Sequence, residues 1–214
     1  MNIPKLNQQL MAAADIPAAL DAAHVAWQQL ECSNWSHDYP YKPAVSFRLA
    51  HTGAAIAIHF DVEETSIRAE AAADNGAVWE DSCCELFFQP DANSGYYNIE
   101  CNCGGTMLMG YGLGRHDRQR ATLETLALIG RWTTLGRSQH PLSEGSFRWQ
   151  LALLIPTTTL FQHHIPQLDG IHARCNIYKC GDKLPRPHFL SWQPVGTPNP
   201  DFHRPEFFGE CLFE

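Results

Sequence analysis

Two neighbouring segments of the chain carry its densest group of hydrogen-bonding side chains. Residues 79–91 read WEDSCCELFFQPD, and residues 96–112 read YYNIECNCGGTMLMGYG. If the second segment is a strand, its side chains alternate between two faces, which places Asn98, Glu100 and Asn102 together. Amide and carboxyl groups of this kind suit the paired hydroxyls of a sugar. A solvated strand face has the same pattern, so the strand alone leaves both interpretations open.

Aromatic rings near these polar groups favour the sugar interpretation. Trp79 begins a polar loop beside carboxylates, where a flat apolar ring can stack on sugar C–H groups. Trp192 is a second candidate platform, and core packing is the alternative for either ring. His188 is a further hydrogen-bonding candidate. The predicted carbohydrate-binding residues are Trp79, Glu85, Asn98, Glu100, Asn102, His188 and Trp192.

The same carboxyl groups raise the hypothesis of a glycoside hydrolase, in which Glu85 is the residue to test. Such an enzyme needs two carboxyls about 5 to 9 Å apart across a cleft. Glu80 and Asp81 are adjacent, so they point to opposite faces of an extended segment. We therefore assign no catalytic residue and favour binding over hydrolysis.

Metal and haem sites form a third class of hypothesis. No cofactor is required by the pattern, but carboxylates and amides near turns could hold one structural calcium ion, although no EF-hand loop is present. These residues are Asp74, Asn75, Glu80, Asp81, Asp91 and Asn93. The eight cysteines contain no C-x-x-C pair, which favours buried thiols over a zinc site. A haem would need axial ligands, for example Met107 or Met109 with a distant histidine.

Short apolar runs separated by turn residues predict strands for most of the chain. Residues 44–50 and 55–62 alternate apolar and polar side chains around the turn HTG, which predicts a hairpin with one apolar face. Residues 147–155 alternate in the same way, and Pro156 ends that strand. Roughly ten such strands, with turn residues between them, predict an all-β antiparallel β-sandwich.

The two ends of the chain differ from this regular pattern. Residues 1–23 are predicted to be an N-terminal extension or linker, and residues 24–214 a single sandwich domain. Residues 18–30, AALDAAHVAWQQL, fit either a helix or a first strand preceded by a linker, and both interpretations stay open. Residues 181–210 contain six prolines among several aromatic residues, which predicts a long ordered loop of the kind that often carries function.

Net charge limits the classes of partner. The chain has 15 Lys and Arg against 23 Asp and Glu, a formal net charge of −8 with neutral histidines. A chain of this charge is repelled by phosphate backbones, which argues against nucleic acid and anionic membranes. The first twenty residues lack the continuous apolar stretch of a signal peptide, so we expect a cytoplasmic location.

Four motifs, taken together and in order, resemble the carbohydrate-binding family 9-like domains, which are relatives of the DOMON superfamily. They are residues 79–91 and 96–112, quoted above, with NIYKCGDKLPRPHFLSW at 176–192 and FHRPEFFGE at 202–210. The similarity runs over about residues 35–214. The resemblance implies an immunoglobulin- or jelly-roll-like β-sandwich that binds sugars, is normally non-catalytic, and is often attached to glycan-degrading hydrolases.

In that family a sugar is held between two Trp rings, while a Glu and an Asn bind its hydroxyls and calcium ions are structural. The resemblance carries these roles to Trp79, Glu85, Asn102 and Trp192. Where relatives that bind reducing-end sugars have an Arg, this chain has Glu100. The combined prediction is a non-catalytic module with a mono- or oligosaccharide ligand, linked to glycan catabolism. Its rivals are a haem-binding electron-transfer domain and a carboxylate-dependent glycoside hydrolase.

Overall fold

Alternating apolar and polar residues build two β-sheets, in a computed structural model that describes residues 1–8 and 10–214. These residues form thirteen strands, three of them only two residues long. The strands are β1 (Asn2–Ile3), β2 (Gln28–Gln29), β3 (Ala44–His51), β4 (Ala55–Ala69), β5 (Cys83–Gln89), β6 (Tyr96–Asn102), β7 (Met107–Gly112), β8 (Gln119–Arg120), β9 (Gly130–Thr133), β10 (His140–Pro156), β11 (His172–Cys180), β12 (Phe189–Ser191) and β13 (Gly209–Phe213). Two short helices are α1 (Ile16–Ala22) and α2 (Leu123–Ala127). Among the described residues, no helix is both long enough and apolar enough to span a membrane.

The two sheets have separate strand orders and pack face to face. The front sheet runs β1-β13-β11-β5-β6-β7-β8, and β12 also pairs with β11. The back sheet runs β2-β3-β4-β10-β9. Neighbouring strands are antiparallel, except that β1 runs parallel to β13. The predicted all-β sandwich is therefore confirmed.

The main core lies between the sheets and follows the two-residue period of the strands. In the predicted hairpin, β3 and β4 pair antiparallel with Phe47 opposite Phe60, and both rings are fully buried. The front sheet contributes its inward side chains from β5, β6, β7 and β11. These are Cys84, Leu86, Phe88, Tyr97, Ile99, Cys101, Met107, Met109, Cys175 and Ile177. Because each fully buried large apolar side chain contributes roughly 1.5–3 kcal/mol, this layer fixes the inward face of every strand.

The N-terminal segment packs on the outer face of the back sheet. Helix α1 buries Ile16 and Leu20 against the small side chains of Ala50, Ala57 and Ala152, which let the helix approach the sheet closely. Strand β1 joins the edge of the front sheet beside β13. The segment predicted as an extension or linker is thus in contact with the sandwich, and the domain boundary stays a prediction.

A proline-rich C-terminal segment, residues 181–208, covers the outer face of the front sheet. We call it the C-terminal cover. Its Phe202 ring stacks on Tyr178 of β11 at 4.0 Å between centroids, and Trp35 donates its indole N–H to the Thr197 carbonyl at 2.8 Å. Phe208 packs edge-on against Tyr96 of β6. The predicted long aromatic loop is confirmed, and it gives the sandwich a second apolar cluster outside the main core.

Candidate functional site

A pocket of about 210 Å³ lies between the front sheet and the C-terminal cover. Its floor comes from β5 and β6, where Glu85 is directly opposite Glu100 and Phe87 is opposite Asn98. Side chains alternate between the two faces of a strand, and the adjacent residues, such as Leu86 and Ile99, point into the main core. All four floor side chains therefore point away from it. The lining residues are Trp79, Glu85, Phe87, Asn98, Glu100, Arg115, Arg118, Arg120, Cys180, Asp182, Phe189, Pro200, Asp201, Phe202 and His203.

A chain of hydrogen bonds fixes the polar floor. Arg118 donates its Nε–H to Asn98 Oδ1 at 2.9 Å, and Asn98 donates its Nδ2–H to Glu100 Oε1 at 2.7 Å. Gly110 makes room for this arrangement, because a Cβ at that position would lie 2.9 Å from Asn98 Oδ1. The second Glu100 oxygen is buried with no hydrogen-bond partner. A ligand group that reaches this oxygen would satisfy it.

Burial shifts the protonation of the two floor carboxyls. It raises the pKa of Glu100 to about 7. Burial, together with the nearby Glu100 carboxyl, raises the pKa of Glu85 well above its usual value. A protonated carboxyl can donate as well as accept a hydrogen bond. Near neutral pH the floor carboxyls can therefore donate hydrogen bonds to a hydroxyl ligand and also accept them from it.

We expect stability to fall as pH rises because of Glu100. Its pKa is about 7 in the folded protein against an ordinary 4.5, so between these values the folded state holds a proton that the unfolded chain has lost. The free energy of unfolding should decrease through this window. In the wild type this decrease should be on the order of 3 kcal/mol, and in Glu100→Gln it should be absent.

The check is urea denaturation of both proteins from pH 4.5 to 8. The exposed Glu144→Gln variant is the matched control and should keep the wild-type dependence. A Glu100→Gln profile parallel to that of the wild type would show that the Glu100 carboxyl is not protonated preferentially in the folded state.

Trp79 is held at the pocket by a short 3-10 helix, Val78–Glu80. Its carbonyl accepts a hydrogen bond from the Asp182 N–H at 3.2 Å, which ties it to the start of the C-terminal cover. The buried Asp81 carboxylate accepts from two backbone N–H groups and from Asn102 Nδ2, at 2.8 Å for the last. The Trp79 ring itself is half-buried. The loop is therefore rigid while one part of the ring stays open to a ligand.

The C-terminal cover supplies the apolar wall and part of the rim. Phe202 is buried, Phe189 is half-buried, and His203 lies with its Nδ1 2.9 Å from the Tyr96 hydroxyl. Burial and the nearby Arg118 lower the pKa of His203 to about 3, so this ring is neutral. Arg115 lies 3.5 Å from Asp201 at the rim. The pocket thus joins an aromatic wall to a polar floor.

The structure brings four of the seven predicted binding residues together in this pocket. Trp79, Glu85, Asn98 and Glu100 all line it, whereas Asn102, His188 and Trp192 do not. The polar atoms of Asn102 are used within the fold, since its Oδ1 accepts from Gly104 N and Thr106 N. Asn102 therefore acts on the pocket only by fixing Asp81 and the Trp79 loop.

His188 and Trp192 have structural surroundings. His188 is fully buried, with Nε2 2.8 Å from Lys179 Nζ, and burial followed by the Lys179 charge lowers its pKa well below the ordinary value. Trp192 packs against the main core, where its ring meets Phe47 edge-on at 6.3 Å. The second aromatic wall of the pocket is made by phenylalanines of the C-terminal cover instead.

Several lining residues were missed by sequence reasoning. Phe87 had a usable signal, because it lies two residues after Glu85 on the same strand face. Cys180 pairs with Cys83 across β11 and β5, a register that no local pattern reveals. Arg118 and Phe202 reach the pocket from distant loops. The three-dimensional path of the chain brings these residues to the pocket, and no local sequence pattern predicts it.

Three of the residues considered for metals and haem have other surroundings. Asp74 forms a two-pronged ion pair with Arg131, with both distances at 2.7 Å. Met107 and Met109 are fully buried in the main core and do not reach the pocket. A structural calcium ion remains a prediction. Within residues 1–8 and 10–214, the one cluster of three metal-ligating side chains is Cys83, Glu85 and Cys180.

Comparisons with known proteins agree with this architecture. A protein from Bacteroides uniformis ATCC 8492, described as a proposed carbohydrate-binding protein, is 44% identical, with a TM-score of 0.95 over 100% of this chain and 98% of that one. A family 9 carbohydrate-binding module from Caldicellulosiruptor kristjanssonii, solved with glucose, has a TM-score of 0.63 at 11% identity, covering 100% and 96%. The structure with cellotriose gives 0.61 at 10% identity, covering 100% and 94%. At such identities these two structures show the fold alone.

Family membership rests on the sequence itself. A search of curated proteins found no match. The sequence profile described as carbohydrate-binding family 9 matches residues 14–213, which is nearly the whole chain. The chain therefore belongs to carbohydrate-binding family 9 and is a carbohydrate-binding module.

Proposed function

We propose that the pocket between the front sheet and the C-terminal cover binds a saccharide. One observation carries the proposal: a half-buried Trp79 ring lies beside a buried floor of Glu85, Asn98 and Glu100. Sugars present apolar C–H faces and polar hydroxyl edges, so they need both kinds of surface in one site. Family membership supports the same conclusion.

The size of the pocket suits one terminal sugar unit, with any further units outside. Its volume of about 210 Å³ is below the roughly 300–1,000 Å³ of pockets that enclose drug-sized ligands. Phe189 and Phe202 limit the space above the floor. We therefore propose recognition of a chain end or a monosaccharide.

The floor would hold the sugar both by donating hydrogen bonds to its hydroxyls and by accepting hydrogen bonds from them. Glu85 and Glu100 have raised pKa values, so as acids they can donate to a hydroxyl and accept from another. Asn98 is already used by Arg118 and Glu100, which makes it a positioning residue more than a free ligand group. The unpartnered Glu100 oxygen gains a partner when a hydroxyl binds.

The arrangement of the carboxyls supports binding over hydrolysis. A glycosidase needs one ionised and one protonated carboxyl on two sides of the scissile bond, with environments that separate their pKa values. Here Glu85 and Glu100 are direct neighbours on one floor, and burial raises the pKa of both. A role beside glycan-degrading enzymes, as a module that holds their substrate, is part of the proposal.

Titration with saccharides tests this function. Calorimetry and tryptophan fluorescence would follow additions of glucose, cellotriose and a panel of other mono- and disaccharides. Glucose and cellotriose come first because the two Caldicellulosiruptor structures contain them. We expect saturable one-to-one binding with one sugar class and a shift in emission from Trp79. Absence of saturable binding across the panel would contradict the proposal, and turnover of chromogenic glycosides would favour the hydrolase.

A further inference from the structure

Two cysteines and a glutamate meet under one side of the pocket. Cys83 of β5 is directly opposite Cys180 of β11, and Glu85 lies two residues further along β5 on the same face. The two Sγ atoms and a Glu85 oxygen all lie within 4.8 Å of one another. Cys180 Sγ is 3.0 Å from Glu85 Oε1. Two rigid, paired strands therefore fix these three ligand atoms in place.

These three side chains make no strong hydrogen bond or ion pair that would compete with coordination of a metal ion. Cys83 and Cys180 are unpaired thiols with exposures of 0% and 2%. Apart from the contact with Glu85, the bonds of Cys180 and Cys83 are weak S–H contacts to backbone carbonyls, at 3.4 and 3.9 Å. Cys180 and Glu85 also line the pocket, which provides a path from solvent.

We propose that Cys83, Cys180 and Glu85 form a binding site for one thiophilic divalent cation such as Zn²⁺. Two sulfur ligands and one carboxylate oxygen match zinc, and three protein ligands leave the fourth tetrahedral position free for water or a ligand hydroxyl. Hard oxygen-preferring ions such as Ca²⁺ do not suit two thiolates. The site shares Glu85 with the proposed saccharide pocket, so a bound ion would replace the Glu85 proton, but the site is argued from the cysteine geometry and is tested without a sugar.

Binding is an exchange of protons for the ion. Each thiol loses its proton to solvent as a metal–sulfur bond forms, and the Glu85 carboxyl does the same as it coordinates through oxygen. The product carries three negative ligands and two positive charges. Arg118 and Arg120 line the same pocket, so the remaining negative charge lies in a region that contains cations.

A cobalt titration of the full chain, reduced with a phosphine, tests the site. Co²⁺ bound by thiolates gives charge-transfer absorption that ions bound only by oxygen lack. We expect this absorption to saturate at one equivalent and to be displaced by Zn²⁺. The Cys83→Ser/Cys180→Ser double variant should lose it.

Cys175→Ser is the matched control, because Cys175 is an equally buried thiol of β11 whose near partner is Cys211, 2.9 Å away. This variant should keep the full signal. Absence of saturable absorption in the wild type, or its survival in the double variant, would overturn the proposal.

A second measurement needs no variant. X-ray absorption of the wild-type protein loaded with one equivalent of Zn²⁺ should show two sulfur ligands at about 2.3 Å and the remaining ligands as oxygen. A shell with no sulfur, or with nitrogen ligands in place of sulfur, would place the ion elsewhere and contradict the site.

Discussion

Trp79→Ala is expected to lower saccharide affinity about fivefold or more. A desolvated aromatic contact contributes on the order of 1 kcal/mol or more, and about 1.4 kcal/mol corresponds to a factor of ten. The ring is half-buried and belongs to a short 3-10 helix whose carbonyls, not its side chain, make the anchoring bonds. The variant should therefore remain folded, and calorimetric titration measures the loss.

Trp27→Ala is the matched control for this experiment. Trp27 is 39% exposed and packs near Arg48 and His59 of the back sheet, away from the pocket. It should keep wild-type affinity. If Trp79→Ala bound as tightly as Trp27→Ala, the pocket would not be the binding site.

The largest effect on stability is expected at the buried ion pair between Lys179 and Glu64. Both side chains are fully buried, and Lys179 Nζ lies 2.9 Å from Glu64 Oε2. Burial alone would lower the pKa of Lys179, but the Glu64 carboxylate outweighs it and raises that pKa. Trp149 also donates its indole N–H to Glu64 Oε1 at 2.8 Å. Lys179→Met should therefore cost about 3–5 kcal/mol, because it leaves a buried carboxylate without its cation.

The double variant Lys179→Met/Glu64→Gln separates this cause from lost packing. Glutamine keeps an acceptor for the Trp149 indole while it removes the buried charge. We expect the double variant to recover more than half of the stability lost in Lys179→Met, as measured by urea denaturation. A double variant as unstable as the sum of the two single changes would mean that the unpaired charge is not the cause.

The sandwich could be predicted because strand alternation is a local signal. Residues 44–50 and 55–62 form the predicted hairpin, and Pro156 ends β10 as predicted, followed by a 3-10 turn at Thr157–Thr159. Asn98 and Glu100 were also predicted correctly to share one face of β6, since both line the pocket while Ile99 and Cys101 lie in the core. Each of these features depends on residues within a few positions of one another.

The pocket could be predicted only in part because it joins distant segments. Its floor, with Asn98 and Glu100, follows from one strand, but its wall depends on how the C-terminal cover folds back. Trp192 was predicted as a second candidate sugar platform, yet the path of the chain turns it toward Phe47. Lys179 is a similar case, because a charged residue at an inward position is explained only by Glu64 on the other sheet.

Pairing across strands creates the chemistry that no local pattern shows. Glu85 and Glu100 are fifteen positions apart in sequence and become direct neighbours in the sheet. Burial raises the pKa of both carboxyls, and the nearby Glu100 carboxyl adds to the shift at Glu85. Cys83 and Cys180 meet by the same kind of register. Such contacts are set by the fold as a whole.

A crystal structure of the protein with the saccharide selected by titration tests the central claim most directly. We predict one sugar unit in the pocket, with a ring face within van der Waals distance of Trp79 and a hydroxyl within hydrogen-bond distance of Glu85 or Glu100. A sugar bound on any other surface, with this pocket empty at saturating ligand, would contradict the account.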